Sequence, residues 1–96
     1  MKTLGVDKNG KWRSIFDLTP EENQMGLYAL EIQDRELNGQ MVTTYQIVQH
    51  WCDPNLFATN IDYEHAKPEE IAKLEDVVNE KLKNMGFPPY FSKEEK

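Results

Sequence analysis

The sequence predicts an α+β fold: an antiparallel sheet of about four or five strands, built from hairpins, with a short helix in the N-terminal half and a long C-terminal helix packed on one face. Residues 41–51 alternate as a strand does, and Asn-Gly pairs at 9–10 and 38–39 suit the positive φ angles of tight hairpin turns. Residues 68–85 carry apolar side chains at the three- and four-residue steps of a helix.

Composition limits the size and the compartment of the protein. Ninety-six residues, of which 39% are hydrophobic and 10% aromatic, suit a single domain, and we expect it to span residues 1–91, with a frayed charged tail at residues 92–96. The only cysteine, Cys52, excludes an internal disulfide and predicts a cytoplasmic protein. No segment approaches the roughly twenty apolar residues of a membrane span, so no membrane partner is expected.

The N-terminal part is predicted to form a hairpin and then a short helix. Residues 3–6 and 11–16 flank the first Asn-Gly pair and would be the two strands. Thr19, Pro20 and Glu22 together resemble the start of a helix: a capping hydroxyl, a proline at the first helical position and a carboxylate at the positive end of the dipole.

Residues 27–37 are open to two interpretations. Their Leu, Ala, Glu and Gln content suits a helix from residue 20 to residue 38, but a helix here would have no single apolar stripe. We favour a strand that turns at Asn38-Gly39 into the strand from residue 41 to residue 51. A two-residue turn then predicts these cross-strand pairs: Leu37 with Gln40, Ile32 with Tyr45, and Leu30 with Ile47.

The C-terminal half is predicted to contain one more strand and the long helix. Residues 53–55 would break the preceding strand, and residues 56–63 would form the next. The helix begins at Pro68 and stops at Gly86, where a left-handed residue would fold Phe87 back onto the last turn. Pro88-Pro89-Tyr90 resembles a short proline-rich docking peptide, but we expect Tyr90 and Phe91 to pack back on the core.

The charge distribution is the main indication of function. Between residues 14 and 66 there are nine carboxylates and one base, Arg35, in a chain of net charge −6. The negative electrostatic field of these carboxylates favours a partner with a basic surface and argues against direct contact with nucleic-acid phosphates. The sequence therefore predicts a small acidic binding or regulatory protein, in its sharpest form an inhibitor of a nucleic-acid-handling protein. The carboxylates assigned to the binding face are Glu31, Asp34, Glu36, Asp62 and Glu64.

Two alternatives remain open. One is a small-molecule-binding domain or minor enzyme with a pocket between the sheet and the C-terminal helix. The side chains at the mouth of that pocket would be Tyr28, Tyr45, His50, Trp51 and Cys52. The other is a homodimer that pairs edge strands.

Other chemistry finds little support in the sequence. His50, Cys52, Asp53 and His65 are possible metal ligands, but they lack the two closely spaced pairs of a structural zinc site. The five glycines are scattered and form no phosphate-binding loop. We therefore assign no catalytic residue, no metal and no cofactor.

Overall fold

The computed structural model describes residues 2–49 and 52–91, and for residues 52–57 it describes the backbone alone. The described chain forms one five-stranded antiparallel sheet and one α-helix, an α+β fold as predicted. The elements are β1 (Lys2–Val6), β2 (Trp12–Ser14), a 3-10 turn (Ile15–Asp17), β3 (Tyr28–Leu37), β4 (Gln40–Gln49), β5 (Cys52–Ile61) and α1 (Pro68–Asn84). The strands lie in the order β2-β1-β3-β4-β5, so β2 and β5 are the edges.

The predicted N-terminal hairpin forms, with Val6 opposite Trp12, but its second strand ends at Ser14 rather than at residue 16, because Ile15–Asp17 forms the 3-10 turn. Asp7 organises its turn: the carboxylate Oδ1 accepts the backbone N–H groups of Asn9 at 2.9 Å and Lys11 at 3.0 Å. Gly10 adopts a φ of 79°, which a residue with a side chain rarely adopts. The turn is therefore held by one buried carboxylate and one glycine.

The predicted short helix near Pro20 is wrong, although its capping interactions form. Thr19 Oγ1 accepts the Glu22 N–H at 3.2 Å, and Glu22 Oε1 accepts the Thr19 N–H at 3.0 Å. The described backbone at 20–27 nevertheless forms only turns. A single capped turn nucleates a helix poorly, because several backbone angles are ordered for few hydrogen bonds.

Contacts with β1 hold this segment in its non-helical form. The Gln24 N–H donates to the Val6 carbonyl at 2.7 Å, a bond that a helix would replace with an internal one. The Asn23 side chain lies so close to Gly5 that a Cβ there would approach its Oδ1 to 2.8 Å. Because Gly5 has no side chain, the turn that contains Asn23 can pack directly against β1.

The long hairpin of β3 and β4 is confirmed in its predicted register. Leu37 pairs with Gln40, Ile32 with Tyr45 and Leu30 with Ile47. Asn38 and Gly39 adopt φ angles of 53° and 83°, as a two-residue hairpin turn requires. The helical interpretation of residues 27–37 is therefore excluded.

The predicted strand break at residues 53–55 is wrong, because β5 runs without interruption from Cys52 to Ile61. An edge strand has a neighbour on one side only, so it tolerates a proline whose missing N–H is not needed for pairing. The register slips by a bulge between Ile47 and Gln49. His50 and Trp51, predicted to complete the preceding strand, lie outside the described residues, as does the predicted tail at 92–96.

Helix α1 ends as the sequence predicts. The Gly86 N–H donates to the Lys83 carbonyl and the Phe87 N–H to the Leu82 carbonyl, both at 2.9 Å, and Gly86 has a φ of 90°. These are the two bonds of a Schellman cap. Among the described residues, no helix is long and apolar enough to cross a membrane.

The core lies between α1 and one side of the sheet, called here the helix side. Strand alternation places Leu30, Tyr45 and Ile61 on this side. The buried residues of the core cluster are Val6, Met25, Leu30, Tyr45, Ile47, Ile61, Val78 and Leu82. The opposite side of the sheet, called the far side, carries polar pairs such as Thr44 with Asn60, whose side chains are hydrogen-bonded.

Candidate functional site

An open depression lies on the helix side, where β3 and β4 approach their hairpin turn and β5 gives way to the loop before α1. Its volume is about 270 Å³. The side chains that line this acidic depression are Asp34, Met41, Val42, Thr43, Tyr63 and Glu64.

The β3–β4 hairpin positions one wall of the acidic depression. Asp34 lies opposite Thr43, and the Thr43 hydroxyl donates to Asp34 Oδ1 at 2.9 Å. Glu36 lies opposite Met41 on the same side of the sheet. The turn at Asn38-Gly39 sets this register and so determines which carboxylates share the wall.

Tyr63 forms the other wall and is anchored at its hydroxyl. The Tyr63 hydroxyl donates to Glu75 Oε2 at 3.2 Å and lies 2.8 Å from the Tyr45 hydroxyl. Either hydroxyl of this tyrosine pair can be the donor in the bond between them. The Tyr63 residue is still 41% exposed, so it remains accessible to a ligand.

Both hydroxyls of this pair are neutral at physiological pH. Burial raises the pKa of Tyr63, and the hydrogen bond with Tyr45 and the charge of Glu75 raise it further. Burial also raises the pKa of Tyr45, against a smaller opposing effect of its hydrogen bond with Tyr63. The pair therefore forms a hydrogen-bonded support made of two neutral hydroxyls.

Asp62 holds the loop that carries Tyr63 and Glu64. Its Oδ1 accepts the backbone N–H groups of Glu64 at 3.1 Å and His65 at 3.0 Å, and His65 Nδ1 lies 3.1 Å from its Oδ2. Burial alone would raise the pKa of Asp62, but the backbone and ring hydrogen bonds of His65 outweigh it, and the pKa is lowered. Asp62 is thus committed to the loop rather than offered to a ligand.

The five carboxylates assigned to a binding face do not share one surface. Asp34 and Glu64 line the acidic depression, and Glu36 lies beside it through its pairing with Met41. Glu31 lies on the far side of the sheet, where its carboxylate accepts the Gln46 amide at 2.9 Å. The structure therefore brings part of the predicted set together and separates Glu31 from it.

The residues predicted for the alternative pocket do not line the acidic depression. Tyr45 is buried on the helix side, with its ring centroid 5.1 Å from that of Phe91, and Tyr28 packs against the same core. Aromatic side chains thus occupy the space beside Tyr45. His50 and Trp51 lie outside the described residues, and of Cys52 only the backbone is described, so the pocket mouth stays a prediction.

Four lining residues were not assigned from the sequence: Met41, Val42, Thr43 and Tyr63. Met41 is 47% exposed and is the cross-strand neighbour of Glu36. Tyr63 lies between two carboxylates in the sequence, Asp62 and Glu64, and this local pattern was the available indication. Exposed Met and Tyr side chains are typical of interface centres.

The depression suits a cation presented by a larger molecule. In the described part of the chain, neither Asp34 nor Glu64 forms an ion pair. No group of three His, Cys, Asp or Glu side chains within the described ranges is arranged to hold a metal ion. An ammonium or guanidinium group can be met there by two carboxylates and an aromatic ring.

No protein-family model matches the chain, and neither a curated protein nor a solved structure matches it significantly. Fold and site alone therefore define the class: a small acidic α+β protein with one helix on a five-stranded antiparallel sheet.

Proposed function

We propose that this is a non-enzymatic binding protein that receives a basic segment of a protein partner in the acidic depression. The observation that carries the proposal is the combination of exposed apolar and acidic groups at one place. Met41 and Tyr63 are half exposed there, between the carboxylates of Asp34 and Glu64.

An arginine side chain fits this combination best. Its planar guanidinium can form charge-assisted hydrogen bonds to carboxylates and can stack on an aromatic face such as that of Tyr63. The methylene stem of the arginine would cover Met41, which removes apolar surface from water. The neutral, anchored Tyr63 hydroxyl keeps the ring in place before binding, so little ordering entropy remains to be lost.

The wider charge distribution supports the same partner class. The nine carboxylates between residues 14 and 66 create a negative field that attracts a basic surface and speeds its association. Nucleic-acid-handling proteins carry such surfaces, and in that case the protein would act as an inhibitor by occupying the basic groove. The single cysteine supports a cytoplasmic setting for this encounter.

The experiment separates local recognition from overall charge. Tagged wild-type protein, a site variant (Asp34→Asn with Glu64→Gln) and a matched variant (Asp17→Asn with Glu21→Gln) are used to capture partners from lysate and eluted with rising salt. The two variants lose the same charge, and Asp17 and Glu21 are exposed in the loop after β2. Affinity for the purified partner is then measured by calorimetry.

We expect the site variant to bind the partner about tenfold or more weakly, because it loses two local charge-assisted contacts, and the matched variant to bind nearly as wild type does. Equal losses in the two variants would attribute binding to the overall field and would overturn the assignment of the site. The absence of any salt-sensitive partner would overturn the proposed function itself.

A further inference from the structure

After α1 the chain passes along the helix side of the sheet as residues 87–91, called here the strap, which has no regular secondary structure and bends at Tyr90 and Phe91. Two side chains outside the strap bind its backbone. Asn79 Oδ1 accepts the N–H groups of Tyr90 and Phe91, each at 3.0 Å, and Asn79 Nδ2 donates to the Phe91 carbonyl at 2.9 Å. From the opposite direction, the Trp12 indole N–H donates to the Pro89 carbonyl at 3.0 Å.

Aromatic contacts complete the binding of the strap. The Tyr90 ring meets the Trp12 ring edge-on at 5.9 Å between centroids, and the Phe91 ring meets that of Tyr45 at 5.1 Å. Trp12, Tyr45 and Asn79 thus form a groove between α1 and the sheet, called here the strap groove. Such edge-to-face pairs favour one orientation of a bound aromatic ring over others.

The strap is attached as a docked peptide is, rather than as a further strand. Within the described residues, no backbone–backbone hydrogen bond joins residues 88–91 to the sheet or to α1. Pro88 and Pro89 have no N–H to offer. The strap side chains pack against the buried core cluster, but none of them belongs to it.

We propose that the strap groove is a docking site for a Pro-Pro-aromatic segment of a partner protein, and that the strap is its detachable occupant within the same chain. Asn79 binds only the backbone of the occupant, so it can accept another segment with the same backbone conformation. An indole N–H bound to a proline carbonyl, with an aromatic floor beside it, is the chemistry by which proline-rich segments are recognised. No residue of the strap groove lines the acidic depression, although Tyr45 of the groove is hydrogen-bonded to Tyr63 of the depression. The test of the groove does not depend on the proposed function.

The strap weakens binding of a partner by competition. A tethered occupant has a high effective concentration, so an incoming segment binds only the fraction of molecules in which the strap has opened. The proposal therefore requires that the strap open without unfolding the rest of the protein.

Hydrogen exchange in the unmodified protein tests this requirement. The amides of Tyr90 and Phe91, which donate to Asn79, are compared with those of Val78 and Leu82 in α1. We expect the strap amides to exchange about a hundredfold faster and with little dependence on low denaturant concentrations, as local opening requires. Exchange of all four amides by one global unfolding event would overturn the proposal, whatever the behaviour of any variant.

Peptide binding tests the chemistry of the groove. The probe is a synthetic peptide that copies residues 86–91, followed through the indole N–H resonance of Trp12 in full-length protein. Phe91→Ala removes one of the two strap rings that contact Tyr45 and leaves every groove residue in place. Phe16→Ala is the matched control, since Phe16 is 89% exposed and belongs to none of the aromatic pairs that the strap forms among the described residues.

We expect Phe91→Ala to bind the peptide about tenfold or more tightly than wild type, and Phe16→Ala to bind it as wild type does. A folded Phe91→Ala protein that binds the peptide no more tightly than wild type would overturn the proposal. If Phe91→Ala does not fold, the exchange measurement on the unmodified protein decides.

Discussion

At the scale of single residues, five carboxylates of this protein form two groups with different roles. Asp7, Glu22 and Asp62 accept backbone N–H groups and hold turns. Asp34 and Glu64 line the acidic depression without an ion pair among the described residues. The first group is explained by local structure, and only the second is available to a partner.

The backbone hydrogen bonds of the first group lower the pKa values and so link stability to pH. In Asp7 the largest effect is the backbone N–H of Lys11, which lowers the pKa below its ordinary value of 3.8. In Glu22 it is the backbone N–H of Thr19. A carboxyl group whose pKa is lowered in the folded protein binds protons more readily in the unfolded chain, so its stabilising effect is complete above the ordinary pKa and is lost as the pH falls through the folded value.

We predict that replacement of Asp7 by asparagine reduces this pH dependence. The asparagine side chain keeps an oxygen that can accept the two turn N–H groups, but it does not titrate. The free energy of unfolding, measured in urea from about pH 6 to about pH 2, should fall for wild type as the pH drops below about 4, and should fall less steeply for Asp7→Asn. Identical pH profiles for the two proteins would contradict the role given to Asp7.

At the scale of elements, the β3–β4 hairpin is the most strongly determined part of the fold. Apolar alternation and the turn at Asn38-Gly39 agree on a single register, and the structure has that register along both strands. The capping turn at residues 19–22 is the opposite case, because its local interactions form but no helix follows. Local preference becomes an element only where neighbouring strands or helices support it.

We predict that Gly39→Ala destabilises the protein by about 1 kcal/mol through backbone strain at the hairpin turn. A Cβ at Gly39 would meet no neighbouring atom within 4 Å, so steric crowding does not cause the loss of stability. The loss arises from the φ of 83°, which alanine rarely adopts. Asn38→Gly is the control, because glycine adopts the φ of 53° at that position readily. Urea unfolding should show the loss for Gly39→Ala and little change for Asn38→Gly, and equal midpoints for Gly39→Ala and wild type would refute the argument.

At the scale of the whole molecule, the excess negative charge has a cost in stability. The net charge is −6, and an ion pair such as that of Asp7 with Arg13 leaves this excess in place. Like charges repel more strongly in the compact state than in the unfolded chain. The acidity that would attract a basic partner therefore works against the folded state.

We predict that salt stabilises the protein. Raising NaCl from about 0.02 to about 0.5 M shortens the Debye length and should raise the thermal midpoint by screening this repulsion. The triple variant Asp34→Asn, Glu36→Gln, Glu64→Gln should show a smaller rise, because it removes three of the charges that repel. A midpoint that is unchanged or lowered by salt in wild type would contradict the prediction.

The wrong predictions from the sequence have one physical origin. The helix expected near Pro20 and the break expected at residues 53–55 were inferred from local preference, and both were overridden by the sheet. The turn after β2 bonds instead to β1, and the edge position of β5 accommodates a proline. Pairing with β4 also places Glu31 beside Gln46 on the far side, away from Asp34.

The sequence by itself determined the two hairpins, the register of β3 against β4, the extent of α1 and the acidic character of the protein. These features depend on the alternation of apolar and polar residues in strands, on the conformation of the hairpin turns and on the helix caps, each of which acts over a few residues. Only the tertiary structure decided that Asp34 and Glu64 meet in one depression and that the strap lies between Trp12 and Asn79. Those contacts join residues far apart in the chain, so they exist only once the sheet has paired and α1 has packed on it.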